Sequence, residues 1–404
     1  MADRFPGGVI SKTPPTVVAP VDGEGGSASG VWTLDEVLGY EKAGAWPKAP
    51  LPLNLYSWGG NGFGELGDGT TISKSSPAQV GALGNWSLVS AGSNHCTAIK
   101  TDGTMWSWGS GGNGRLGDNT IISKSSPVQI GSLTTWYVVD LGENCSASIK
   151  NDGTLWTWGG NDAGQLGDGT VINRSSPVQI GASTDWATVG GRNRTFAAVK
   201  TDGTIWSWGR NNHGQIGDNT FNINRSSPVQ IGALTNWSKV EASFYSFSAV
   251  KTDGTLWSWG RNSYGQLGAN DTVTRSSPIQ IGALTNWANV SGGSSHIAAI
   301  KTDQTIWSWG RNNRGQIGDT TATNRSSPVQ VMSSTSWSQI KCGETNTFGI
   351  TSNNRLWAWG ENSDGQIGNN ATGILVASPI QVGTLGGWLQ VSGGNSQVVS
   401  VKKG

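Results

Sequence analysis

Residues 293–318 read GSSHIAAIKTDQTIWSWGRNNRGQIG, and this stretch decides the architecture because the chain repeats it, with drift, seven times. The Trp-Gly at its centre recurs at Trp58, Trp108, Trp158, Trp208, Trp259, Trp309 and Trp359, in steps of 50 residues with one step of 51. Self-similarity at a fixed period of this length marks stacked supersecondary units. The copies run from about residue 51 to the end. The 404 residues therefore read as one repeating domain, 51–404, behind a leader, 1–50, and not as the two or three domains that length alone suggests.

Each copy carries strand signals. In the second, SSPVQIG (125–131), WYVVDLG (136–142), CSASIK (145–150) and TLWTWG (154–159) are short runs separated by turn residues. Asp-Gly pairs at Asp102-Gly103, Asp152-Gly153, Asp202-Gly203 and Asp253-Gly254 supply hairpin turns, because these residues accept positive φ. Four short strands per unit, seven units and no helical period predict an all-β, seven-bladed propeller of four-stranded blades. Composition agrees: Gly 61 and Trp 22 fit many tight turns and many packed strands, and 13% charged residues leave few exposed faces.

Ring closure is also predicted. The chain ends in QVVSVKKG without the hairpin and Trp pair that follow elsewhere, while 53–58 lacks the strand that precedes it in other copies. Pairing these two ends removes two open edges. Ala98, Ser148, Ala198, Ala249, Ala299, Gly349 and Ser400 share one repeat position, and their small size points to the innermost strand, where blades converge.

The repeat G-x-x-H-x-x-A-[IL]-K-x-D-G-x-[LVI]-W-x-W-G-x-N-x-x-G-Q-[LI]-G resembles that of the regulator of chromosome condensation repeat proteins, over roughly 350 residues. The resemblance implies a seven-bladed propeller. Members include an exchange factor for a nuclear GTPase, and similar propellers include a bacterial β-lactamase inhibitory protein. Fold does not fix function. Steps of 50 or 51 residues leave no insertion long enough for the protruding wedge of the exchange-factor members.

The leader differs in kind. FPGGVISKTPP and GEGGSASG read as an extended arm. VWTLDEVLGYEKAGAWP then predicts one short helix, about 33–43, with Thr33 and Glu36 as a capping box and Trp32 and Val37 as a staple. This leader resembles N-termini of structural proteins from tailed bacteriophages. The resemblance implies a virion component attached through the arm, with Trp32, Val37, Leu38 and Trp46 as the anchoring residues; a cytoplasmic or secreted location is the alternative.

Chemistry is sparse. Lys+Arg 27 against Asp+Glu 26 gives no excess to release counterions from a nucleic acid, and no apolar run is long enough for a membrane helix. Cys96, Cys145 and Cys342 are odd in number and widely spaced, which predicts buried free thiols and no metal site. His95, Cys145, Thr195, Ser246, His296, Asn346 and Gln397 share one position, too varied for a shared catalytic role. No phosphate-binding loop, cofactor motif or nucleophile–base spacing is present, so the chain reads as a non-enzyme without cofactors. Trp pairs such as Trp106 and Trp108 face one side of a strand and are expected to pack between blades. Lys74, Lys124, Arg174, Arg225, Arg275 and Arg325 are expected to pair with loop acids such as Asp68 and Asp118.

The candidate binding residues come from comparing copies. The turn before the shared His position and the residue after Trp-Gly are expected on one face, and both vary. They bring Arg194, Arg210, Phe244, Tyr245, Arg261 and Arg311 together over the third to sixth copies. Arginine and aromatic residues are enriched at interface hot spots. A protein or glycan partner is expected there, or alternatively the chain serves as a cellular inhibitor or regulatory platform.

Overall fold

A computed structural model describes residues 52–404 apart from Ser334 and Ile374. The predicted helix over about 33–43, and with it Trp32, Val37, Leu38 and Trp46, lies outside the described residues.

Seven four-stranded antiparallel sheets form the seven blades of the ring that spans Leu53–Lys403. In the first, the inner strand Trp86–Ala91 pairs with His95–Lys100, that with Met105–Gly109, and that with the outer strand Lys124–Gln129. The frame thus differs from the one the sequence suggests. The Ser-Ser-Pro strand at the head of each copy completes the sheet of the copy before it: Gly109 pairs with Lys124, and Lys124–Gln129 does not pair with the next inner strand, Trp136–Leu141. The Trp-Gly loop returns beside the strand it has left, and only the later Gly131 turn crosses to the next blade.

The ends close as expected. Leu53–Gly59 pairs with Gln397–Lys403 without a break, from Leu53 opposite Lys403 to Gly59 opposite Gln397. Lys74–Gln79 and Trp388–Gly393 complete this seventh blade.

The small residues, however, are not innermost. Each strand of the Trp86–Ala91 type touches its equivalents in both neighbouring blades and so lines the axis, whereas Ala98 and its equivalents lie one strand further out. Gly349 shows what keeps them small: a Cβ there would stand 2.6 Å from Cζ3 of Trp337. The limit is the indole of the blade's own inner strand, not crowding at the axis.

Tryptophans make the blade and then join it to its neighbour. Trp86 meets Trp106 and Trp108 edge-on at 6.2 and 6.4 Å, and Lys100 Nζ lies 5.0 and 4.8 Å from the centres of the Trp86 and Trp106 rings. Trp108 Nε1 donates to the Glu65 carbonyl oxygen of the preceding blade at 2.7 Å. The same bond recurs in all seven copies, as from Trp158 to Arg115 and from Trp208 to Gln165. The closing glycine of the G-Q-[LI]-G motif follows from this packing. A Cβ on Gly117, which has φ +76°, would stand 2.7 Å from Trp158 Nε1.

Candidate functional site

The N–H after each Trp-Gly bonds back to the turn before the shared His position. Arg210 N donates to Arg194 O, Arg261 N to Tyr245 O and Arg311 N to Ser295 O, at 2.8 to 2.9 Å, and the other four blades do the same. Both variable sets therefore emerge on one face, termed the upper face; the Asp-Gly turns lie at the opposite, lower end.

On the upper face the side chains form a ladder. The Arg210 and Arg261 guanidiniums lie 5.9 and 5.5 Å from the centre of the Tyr245 ring. Arg261 and Arg311 lie 5.9 and 4.9 Å from that of Tyr264. His213 meets Tyr245 edge-on at 4.9 Å. Burial, and then Arg261 and Arg210, push the His213 ring below its ordinary value, so it is neutral at pH 7. Among the described residues no carboxylate pairs with Arg210, Arg261 or Arg311.

Phe244 touches Tyr245 at 6.1 Å and also covers Arg192 at 5.9 Å, so it bridges ladder and axis. Arg194 does not join the free guanidiniums. It is ion-paired with Asp162 and, at 3.6 Å, with Glu143, both on the preceding blade. Tyr264 and His213 are missing from the sequence-derived set. Their slot, five residues beyond the Trp of each Trp-Gly, reads Phe63, Asn113, Ala163, His213, Tyr264, Arg314 and Asp364, and its variability carried the signal.

The axis is a second polar region. Arg192 reaches from its own inner strand to the carbonyl oxygens of Gly292 and Cys342, 3.1 and 3.2 Å away on two other blades, and narrows the channel near the upper face. Next to it Lys341 Nζ donates to Glu241 at 2.8 Å, and Asp140 accepts from Ser90 Oγ and Gly191 N. Burial and the charge of Glu241 push Asp140 up to about 6, against the pull of Lys341. Towards the lower face a cavity of about 860 Å³ opens, lined by Tyr137, Lys239, Asn289, Gln339 and Gln390.

The rim ion pairs, the thiols and the two buried histidines are scaffold. The rim bases pair as expected, Lys74 with Asp68 at 2.7 Å and Arg325 with Asp319 at 2.6 Å. In the fifth copy Ala269 replaces the acid, and Arg275 pairs instead with Asp271 at 2.8 Å. Such half-exposed pairs contribute little. All three thiols are free and buried; burial pushes Cys145 to about 12, Cys342 to about 11 and Cys96 further the same way.

His95 and His296 are fully buried and bond across to the next blade, to Ser146 Oγ at 3.1 Å and Thr347 Oγ1 at 2.9 Å. Burial, with Arg192 adding to it, pushes His296 down to about 3. Between that value and the unfolded value of about 6.5, the unfolded chain binds the extra proton, so stability falls as pH falls. The expected loss from His296 is about 2 kcal/mol between pH 6.5 and 5. Asp140 acts oppositely, since its raised value removes stability as pH rises towards 6. The test is therefore a difference: urea melts at pH 5 and 6.5 should show a smaller pH effect in H296N than in the parent, and equal effects would refute the assignment. Asn346 already fills the equivalent position.

Solved structures share this fold. Prp20p of Saccharomyces cerevisiae, in a structure described with its binding to Gsp1p and histones, superposes with a TM-score of 0.79 at 18% identity, over 88% of this chain and 92% of that one. Yeast RCC1 (Prp20) bound to Kap60 gives 0.79 at 17%, over 87% and 89%. Human WBSCR16 gives 0.79 at 19%, over 88% and 99%. At these identities the likeness establishes fold alone. No curated protein matches the sequence. Residues 54–400 match the RCC1-like domain family, a span that takes in nearly the whole ring, and the chain belongs to that family.

Proposed function

We propose that this chain is a non-enzymatic protein-interaction scaffold that docks its partner on the upper face. The carrying observation is the Arg210–Tyr245–Arg261–Tyr264–Arg311 ladder: guanidiniums held in place by aromatic rings, with no carboxylate among the described residues to neutralise them. Arginine and tyrosine so fixed lose little entropy on binding. Family membership supports the scaffold reading, since the yeast relative is described with protein partners.

The finer reading places the scaffold on a virion, attached through residues 1–50. It rests on the phage-like leader, whose apolar positions Trp32, Val37, Leu38 and Trp46 suit docking to a larger assembly. A cellular or secreted location is the alternative. One experiment reads both parts. A photo-crosslinking amino acid is placed at exposed Ser263, beside the ladder, or at exposed Tyr137 on the lower face, in the full chain and in a chain lacking 2–50. Purified particles are then irradiated and digested. Expected are a protein crosslink from position 263 but not 137, and loss of the propeller from particles when the arm is deleted. Crosslinking from 137 alone would refute the face, and undiminished retention of the deleted chain would refute the attachment.

A further inference from the structure

The ladder has ends, and the ends are acidic. At one end Asp162 and Glu143 hold Arg194. At the other, Glu361 lies 3.8 Å from Arg314 and accepts from Thr345 Oγ1 at 2.8 Å, and Asp364 and Glu344 belong to the same blade. Their charges act on Glu344, which burial pushes up against the pull of Arg192, with Glu143 and Glu361 adding to the rise. Arg194 offsets one acid at the first end and Arg314 one at the other, which leaves an excess of acid on either side of the unpaired arginines.

Resting on the reading of this face as the docking surface, we propose that its ligand is a protein segment with a short acidic core flanked on both sides by basic residues. The core meets Arg210, Arg261 and Arg311, whose planar forks match carboxylates bidentately. The flanks meet the acids of the second and sixth blades. A uniform polyanion, whether nucleic acid or sulfated glycan, runs past the ladder onto like charge and is repelled. A neutral glycan has little to stack on, because guanidiniums already lie over the Tyr245 and Tyr264 rings.

The test uses the full chain and four fluorescent probes of matched length: a peptide with a glutamate core and lysine ends, its charge-inverted counterpart, an all-glutamate peptide and a sulfated oligosaccharide. Binding is followed by anisotropy near physiological salt. The patterned peptide should bind about tenfold more tightly than the all-glutamate peptide, and R210A/R261A/R311A should abolish its binding while the thermal midpoint stays unchanged. D162K/E361K should reverse the ranking in favour of all-glutamate. Should all-glutamate or the sulfated oligosaccharide bind the parent as tightly as the patterned peptide, yet depend on the three arginines, the pattern is wrong and the docking face stands. If binding ignores the three arginines, both readings fall.

Discussion

Deleting residues 397–404 should leave a chain that no longer unfolds cooperatively. The strand Gln397–Lys403 buries Val398, Val399 and Val401 to 1% exposure or less. Three such side chains account for about 5 kcal/mol of apolar burial, against a net stability of about 5–15 kcal/mol for ordinary domains. The loss does not stop there, because Gln397–Lys403 is the shared partner of Leu53–Gly59 and Trp388–Gly393. Its removal exposes two strand edges inside what was a sheet and invites association. Gel filtration should show aggregates, and tryptophan fluorescence should lose its sharp urea transition. A synthetic QVVSVKK peptide should restore part of that transition. A truncated chain that stays monomeric and melts like the parent would sink this account of closure.

The second large effect separates two tryptophans that differ by two positions. Trp208 is fully buried and donates to the Gln165 carbonyl oxygen of the preceding blade at 3.0 Å. Trp206, half-buried, donates to Thr204 Oγ1 within its own blade at 2.9 Å. Trp208→Ala is expected to cost about 3–5 kcal/mol, from lost burial and the cavity left between blades. Trp208→Phe keeps much of the packing but leaves the Gln165 carbonyl oxygen unpaired, at about 1–3 kcal/mol. Trp206→Ala opens onto solvent and should cost about 1–2 kcal/mol. Urea titrations of the three variants give the order directly; equal losses for W206A and W208A would show that the inter-blade contact has no special weight.

The blade count was legible because each contact the ring needs is written seven times. The Trp-Gly of one copy and the G-Q-[LI]-G of another are the two halves of a single contact, that of Trp158 with Arg115 and Gly117. Which sheet a strand returns to is not written in this way. Ser-Ser-Pro precedes Trp136 in sequence yet pairs with the strand before it, because antiparallel return is decided by where the Trp-Gly loop ends. The position of Ala98 misled for a similar reason: small size reports a close neighbour without saying which one. At the candidate site, Arg210, Tyr245, Arg261 and Arg311 were legible as departures from the repeat. Tyr264, which joins two of these arginines, came from a third variable slot. Arg194 looked the same as its neighbours in sequence, but its acids stand at Asp162 and Glu143, in loops that only the ring brings near.

The seventh blade also sets a schedule. Of the ring's strands, Leu53–Gly59 and Lys74–Gln79 leave the ribosome first, but their sheet cannot be finished until Trp388–Lys403 has been made. At about 10 residues per second that interval exceeds half a minute. During it Leu53–Gly59 has Lys74–Gln79 along one edge and nothing along the other, although the six blades between are complete sheets as soon as each is synthesised. Of the ring's strands, those made first are thus the last to be satisfied, and it is there that the nascent ring most needs a holding chaperone.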